Sequence, residues 1–351
     1  MLSFFHPEQL LHHPRSYLSR GQMRTPQEVP ERALRLAAAV QSLGFDLRTP
    51  PDAGMAPLAA VHGDDYLRFL EEAHREWKKM PLDWGDEVMS NIYVREPNRL
   101  RGILARAARH LADGSCPVGA ETWRSAYWSA QSAVAGASAI AGGARSAYAL
   151  CRPPGHHARV DAAGGFCYLN NAAIAAQALR ERFARVAVLD TDMHHGQGVQ
   201  EIFYGRGDVP YVSIHGDPTN FYPGVVGYED ERGAGEGEGF NLNFPMPHGS
   251  PESVFFDRLD DATKALRRFA PDALVLALGF DIYKDDPQSQ VAVSTEGFGR
   301  LGKEIGALGL PTLIVQEGGY HLDSLEANAR AFFGGFTDAT LCTVGASNES
   351  R

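Results

Sequence analysis

The 351-residue chain has few cysteines, no long apolar run and no surplus of basic charge. Its four thiols, Cys116, Cys151, Cys167 and Cys342, are scattered without a CxxC pair. That pattern argues against a disulfide framework and against a thiolate zinc knuckle, and predicts a reducing, cytoplasmic setting. No stretch has the apolar length of a membrane span. The opening Met1-Leu2-Ser3-Phe4-Phe5-His6 carries no basic region ahead of an apolar core, so neither a leader nor a membrane partner is expected. Lysine and arginine number 33 against 43 acidic residues, a net charge of −10. This balance disfavours the phosphate backbone of nucleic acid as a partner and favours the approach of a cationic substrate.

Internal repeats and linker-like stretches are missing as well. Apolar runs at 147–151, 186–190, 210–215, 273–279 and 312–315 alternate with alanine-rich segments at 122–142 and 171–183. Strands alternating with helices predict one α/β domain over residues 1–351, a three-layer αβα sandwich around a mostly parallel sheet. Residues 6–30 read as a long surface loop, and 78–121 as a loop excursion of the size that usually serves function. Residues 337–351 read as a frayed tail.

In open α/β sheets ligands bind beyond the carboxyl ends of the strands, and there the sequence concentrates its chemistry. The run Asp190-Thr191-Asp192-Met193-His194-His195-Gly196-Gln197-Gly198 follows one predicted strand. An extended backbone would point Asp192 and His194 to the same side, an oxygen and a nitrogen suited to Zn²⁺. Phe280-Asp281 follows a second strand; Asp281 can supply a third ligand or cap a helix. Two carboxylates and one imidazole leave a fourth position open, as in a catalytic site. Gly155-His156-His157 follows a third strand and offers bases, and Glu317-Gly318-Gly319-Tyr320 follows a fourth and offers a phenol for a developing oxyanion. Together these groups predict metal-assisted hydrolysis of an amide or ester.

The stretches Arg152-Pro153-Pro154-Gly155-His156-His157-Ala158, Gly165-Phe166-Cys167-Tyr168-Leu169-Asn170-Asn171, Asp190 to Gly198 and Glu317 to Tyr320 resemble the zinc-dependent deacetylases of the arginase–deacetylase fold. Ser213-Ile214-His215-Gly216-Asp217-Pro218 and Asp285-Asp286-Pro287 are similar to the bacterial acetylpolyamine amidohydrolases within that group. The resemblance implies one Zn²⁺ per chain on Asp192, His194 and Asp281. It implies His157 as general base, His156 as its electrostatic partner charged by Asp190, and Tyr320 as the group that polarises the acetyl carbonyl. Gly165, Phe166 and Tyr222 match the walls of a narrow tunnel. Asp190, Asp192, His194 and Ser213 match the surroundings of a structural K⁺. The implied substrate is a small cationic acetylated amine, and the implied assembly is a homodimer.

Two departures from the family pattern stand out. Gln197 takes the place of an Asn or Asp, so the partner of His157 is neutral, which favours a free base at neutral pH. Arg95-Glu96-Pro97 is similar to the segment whose acidic residue meets the distal ammonium, making Glu96 the candidate, yet Arg101, Arg106 and Arg109 lie nearby. The rival readings are a protein acetyl-lysine deacetylase, a binuclear manganese ureohydrolase on the same fold, and a non-enzymatic metal-bound sensor.

Overall fold

The computed structural model of the chain describes residues 1–94 and 100–348, with 342–348 followed through their backbone alone. Eight strands build one sheet: β1 (Leu2–Phe4), β2 (Asp46–Arg48), β3 (Ser146–Ala149), β4 (Val186–Asp190), β5 (Tyr211–Gly216), β6 (Asn241–Met246), β7 (Ala273–Leu278) and β8 (Thr312–Gln316). Their order is β2-β1-β3-β8-β7-β4-β5-β6, and every neighbouring pair is parallel. The four strands that carry the chemistry therefore lie side by side in the middle of the sheet.

Both faces of those central strands are dry. Along β7, Val275 and Ala277 join one hydrophobic cluster while Leu274, Leu276 and Leu278 join the other. The same alternation splits Val186 and Val188 from Ala187 and Leu189 on β4. A side chain turns over at each residue of a strand, so a run with no polar member must be covered twice. Helices α2 (Asp64–Trp77), α3 (Gly102–His110), α4 (Thr122–Ala141), α5 (Asn171–Leu179) and α6 (Gln197–Phe203) contribute to the first cluster. Helices α1 (Pro30–Ser42), α7 (Glu252–Phe269), α8 (Thr295–Gly306) and α9 (Leu322–Asn348) contribute to the second. Each fully buried Leu or Val adds ~1.5–3 kcal/mol relative to exposure.

Three sequence expectations need correction. The tail continues α9 as helix through Asn348, and its first turns pack against α8, where a Cβ on Gly306 would lie 3.0 Å from the Ala339 Cβ. The 78–121 segment is not a plain loop: it contains α3, and Val88 bridges Val118. The 6–30 segment is not wholly superficial, since Gln9, His12 and Glu28 are buried in it.

Candidate active site

Strand β4 ends at Asp190, and residues 192–194 bend instead of continuing extended. The turn, not strand alternation, brings Asp192 and His194 to one point. Asp281 lies in a turn just after β7 and caps no helix, since the next one starts at Thr295. His194 Nδ1 lies 3.2 Å from Asp192 Oδ1 and 3.1 Å from Asp281 Oδ2. Ligand atoms around a tetrahedral ion with bonds near 2.0 Å should be spaced about 3.3 Å apart. The donor set and spacing fit a divalent ion such as Zn²⁺.

The carboxylates are aimed by backbone. Asp192 Oδ2 accepts the Gly318 N–H at 2.8 Å, and Asp281 Oδ1 accepts the Met193 N–H at 3.0 Å. A Cβ on Gly279 would sit 2.5 Å from oxygens of both carboxylates, and one on Gly318 would sit 2.5 Å from Asp281. Glycine leaves the room that the cluster occupies. Burial and the neighbouring Asp192 push the Asp281 carboxyl up, while His156 and His194 hold Asp192 down against the effect of burial. A divalent cation would relieve that crowding of like charge.

The rings of His156 and His157 lie 3.9 Å apart between centroids, tilted by 39°, yet their surroundings set them in opposite states. His156 Nδ1 lies 2.9 Å from Asp190 Oδ2, which also accepts the Tyr211 hydroxyl. Burial opposes its charge, but Asp190, Asp192 and Glu317 outweigh burial and raise its pKa to about 10. His157 Nδ1 lies 2.6 Å from Gln197 Oε1. Burial, then the charges of His156 and His194, holds its pKa well below the ordinary histidine value. A charged neighbour and a neutral base follow from that difference.

Tyr320 leaves β8 through two glycines. Asp286 Oδ2 accepts its backbone N–H at 2.6 Å and that of His321 at 2.9 Å. The Arg32 guanidinium lies 4.7 Å from the Tyr320 ring centroid and donates to the carbonyls of Gly319 and Glu317. Burial pushes the phenol well above its usual range, so it remains a proton donor. Gly165 has φ +55°, and a Cβ there would lie 2.2 Å from His157 Cδ2. Next to it, Phe166 meets the Tyr320 ring edge-on at 5.9 Å, and Tyr222 meets His157 edge-on at 4.8 Å. Ser213 is buried and pairs in register with Asp190.

Among the expected site residues only Glu96 lies outside the described residues. The nearby basic charge is largely answered: Arg106 pairs with Glu72 and Glu76, and Arg109 with Asp161. Sequence reading missed Asp113, which accepts the Tyr222 hydroxyl at 2.7 Å, and Phe221, which stacks on His194 at 4.9 Å. It also missed Arg32 and gave Asp286 no task. Their partners lie on distant segments, and only the Asp285-Asp286-Pro287 stretch offered a local signal.

The model of the histone deacetylase domain matches residues 26–336. The acetylpolyamine amidohydrolase of Burkholderia pseudomallei is 77% identical over 336 residues, covering 96% of this chain and 98% of the relative. Acetylpolyamine amidohydrolase 1 of Pseudomonas aeruginosa is 43% identical, covering 97% and 99%. A crystal structure of the acetylpolyamine aminohydrolase from Burkholderia pseudomallei superimposes with a TM-score of 0.96 at 76% identity, covering 97% of this chain and 99% of that one.

Proposed function

Because the chain belongs to the histone deacetylase domain family, we propose that it is a zinc-dependent hydrolase that removes acetyl groups from acetylated polyamines or related N-acetyl aliphatic amines. The family makes it a metal-dependent deacetylase acting on amide bonds. The identity of 77% along nearly the whole chain to an acetylpolyamine amidohydrolase supports the substrate class.

One zinc ion per chain would be held by Asp192, His194 and Asp281. When bound it supplies Lewis acidity, polarising an acyl oxygen and acidifying water. His157 takes the proton of the attacking water and returns it to the departing amine, because it is buried and uncharged while its neighbour is charged. His156, paired with Asp190, adds positive charge beside the reacting centre. Tyr320 donates its hydroxyl proton as a hydrogen bond to the developing oxyanion. Phe166 and Tyr222 sheathe an aliphatic chain and Gly165 gives it clearance, while Asp190, Asp192, His194 and Ser213 would surround a structural K⁺.

The reading extends to a homodimer through the 78–121 segment, supported by the exposed side chains of Leu82, Ile92 and Tyr93 there. Sedimentation of the purified protein at micromolar concentration tests it; a monomer refutes it. A cytoplasmic location is supported by the buried free thiols of Cys116, Cys151 and Cys167. Among the described residues no helix is long and apolar enough to cross a membrane. Turnover of acetylputrescine, acetylspermidine and acetyl-lysine peptides, measured side by side, tests the substrate. Preference for the acetylated polyamines supports the proposal, and preference for the peptides replaces it with the protein deacetylase.

A further inference from the structure

Gln197 gives His157 an ambivalent partner. A glutamine carbonyl accepts from an imidazole N–H, whereas its NH₂ group donates to a bare ring nitrogen. The two amide orientations select opposite tautomers, and only the one with the proton on Nδ1 leaves Nε2 free to take a proton. Something outside the pair must choose. The structure continues the chain of contacts outward: Gln197 Nε2 lies 3.0 Å from the Tyr222 hydroxyl, and that hydroxyl lies 2.7 Å from Asp113 Oδ2. Asp113 Oδ2 also accepts the Gly165 N–H at 3.2 Å, while Oδ1 accepts the Ser115 N–H at 2.8 Å and the Ser115 hydroxyl.

An ionised carboxylate only accepts. The Tyr222 proton must therefore point at Asp113, which leaves the phenol oxygen to accept from the Gln197 NH₂. The Gln197 carbonyl must then face His157, where it is found at 2.6 Å. We propose that Asp113, acting through Tyr222 and Gln197, holds His157 in the Nδ1–H tautomer and so keeps Nε2 available as the base. Asp113 and Tyr222 are thus positioning residues, and the aromatic wall has a second task. The inference rests on the role of His157 in the deacetylase reading above.

The test uses the zinc-loaded enzyme with Tyr222→Phe, which keeps the ring and removes the relay, and with Asp113→Ala. Each variant should lower kcat on acetylputrescine about tenfold or more, with KM within about twofold of wild type. The double variant should be no slower than the slower single variant. In ¹⁵N-histidine spectra the His157 ring should be Nδ1-protonated in wild type and lose that bias in Tyr222→Phe. A Tyr222→Phe enzyme with unchanged kcat, or an unchanged His157 tautomer, overturns the relay. If the wild-type protein hydrolyses no acetyl amide, the deacetylase reading fails instead, and the spectra still decide the tautomer.

Discussion

Replacing Glu28 by Gln should destabilise the protein by about 3–5 kcal/mol at pH 7. Glu28 is buried to within 2% of full exclusion, and its Oε1 faces Arg32 at 3.0 Å and Arg152 at 2.9 Å, both only 1% exposed. Two guanidiniums thus share one carboxylate away from solvent. Glutamine keeps the shape and removes the charge, leaving two buried cations to repel each other. A comparable exposed pair would cost only about 0–1 kcal/mol. The carbonyls that already receive these arginines, Gln9 and His12 for Arg152, Glu317 and Gly319 for Arg32, soften the loss toward the lower end of the range. Burial pushes the Glu28 carboxyl up, but Arg152 and Arg32 outweigh it and leave its pKa below the ordinary 4.5. Its contribution is therefore fully present above pH 4.5 and is lost as pH falls through the depressed folded value. Urea denaturation of both proteins at pH 7 and at successively lower pH should show a gap that narrows on acidification. A gap under about 1 kcal/mol at pH 7, or one that widens toward acid, refutes the reasoning. Because Arg32 also lies against Tyr320, kcat should fall with stability.

Tyr320→Phe should lower kcat about 10²–10³-fold while metal analysis still finds one zinc per chain; unchanged turnover removes the tyrosine from the mechanism. Chelation should abolish activity and lower Tm, and zinc should restore both, since an ion bound only by the folded state stabilises it by mass action. Gly165→Ala should cripple turnover with modest effect on secondary structure, because the new methyl meets the His157 ring; circular dichroism and a rate assay separate the two.

The central strands and their four strand-end motifs were legible because each is a short continuous run whose meaning is local. Strands β1, β2 and β6 were not. The first two are three residues each, and β6 turns Asn241 and Asn243 inward to Gln200 and Glu231 while Leu242 and Phe244 are only partly buried. Its hydrophobic signal is thereby inverted. In the last helix Gly335 permits close packing, since a Cβ there would lie 2.1 Å from the Gly299 carbonyl oxygen, a case of tertiary contact overriding propensity. The site ligands could be listed from the chain, whereas Arg32 and Asp113 act across long sequence separations that no spacing encodes.

The missing side chains at 279 and 318 carry a lesson for transplantation. Copying Asp192, His194 and Asp281 onto another parallel sheet would fail if either neighbouring position kept even a methyl group, because the carboxylates would be displaced before any ion arrived. The portable unit is the three ligands plus two vacancies, and a search for kindred centres should look for the gaps as well as the grasping groups.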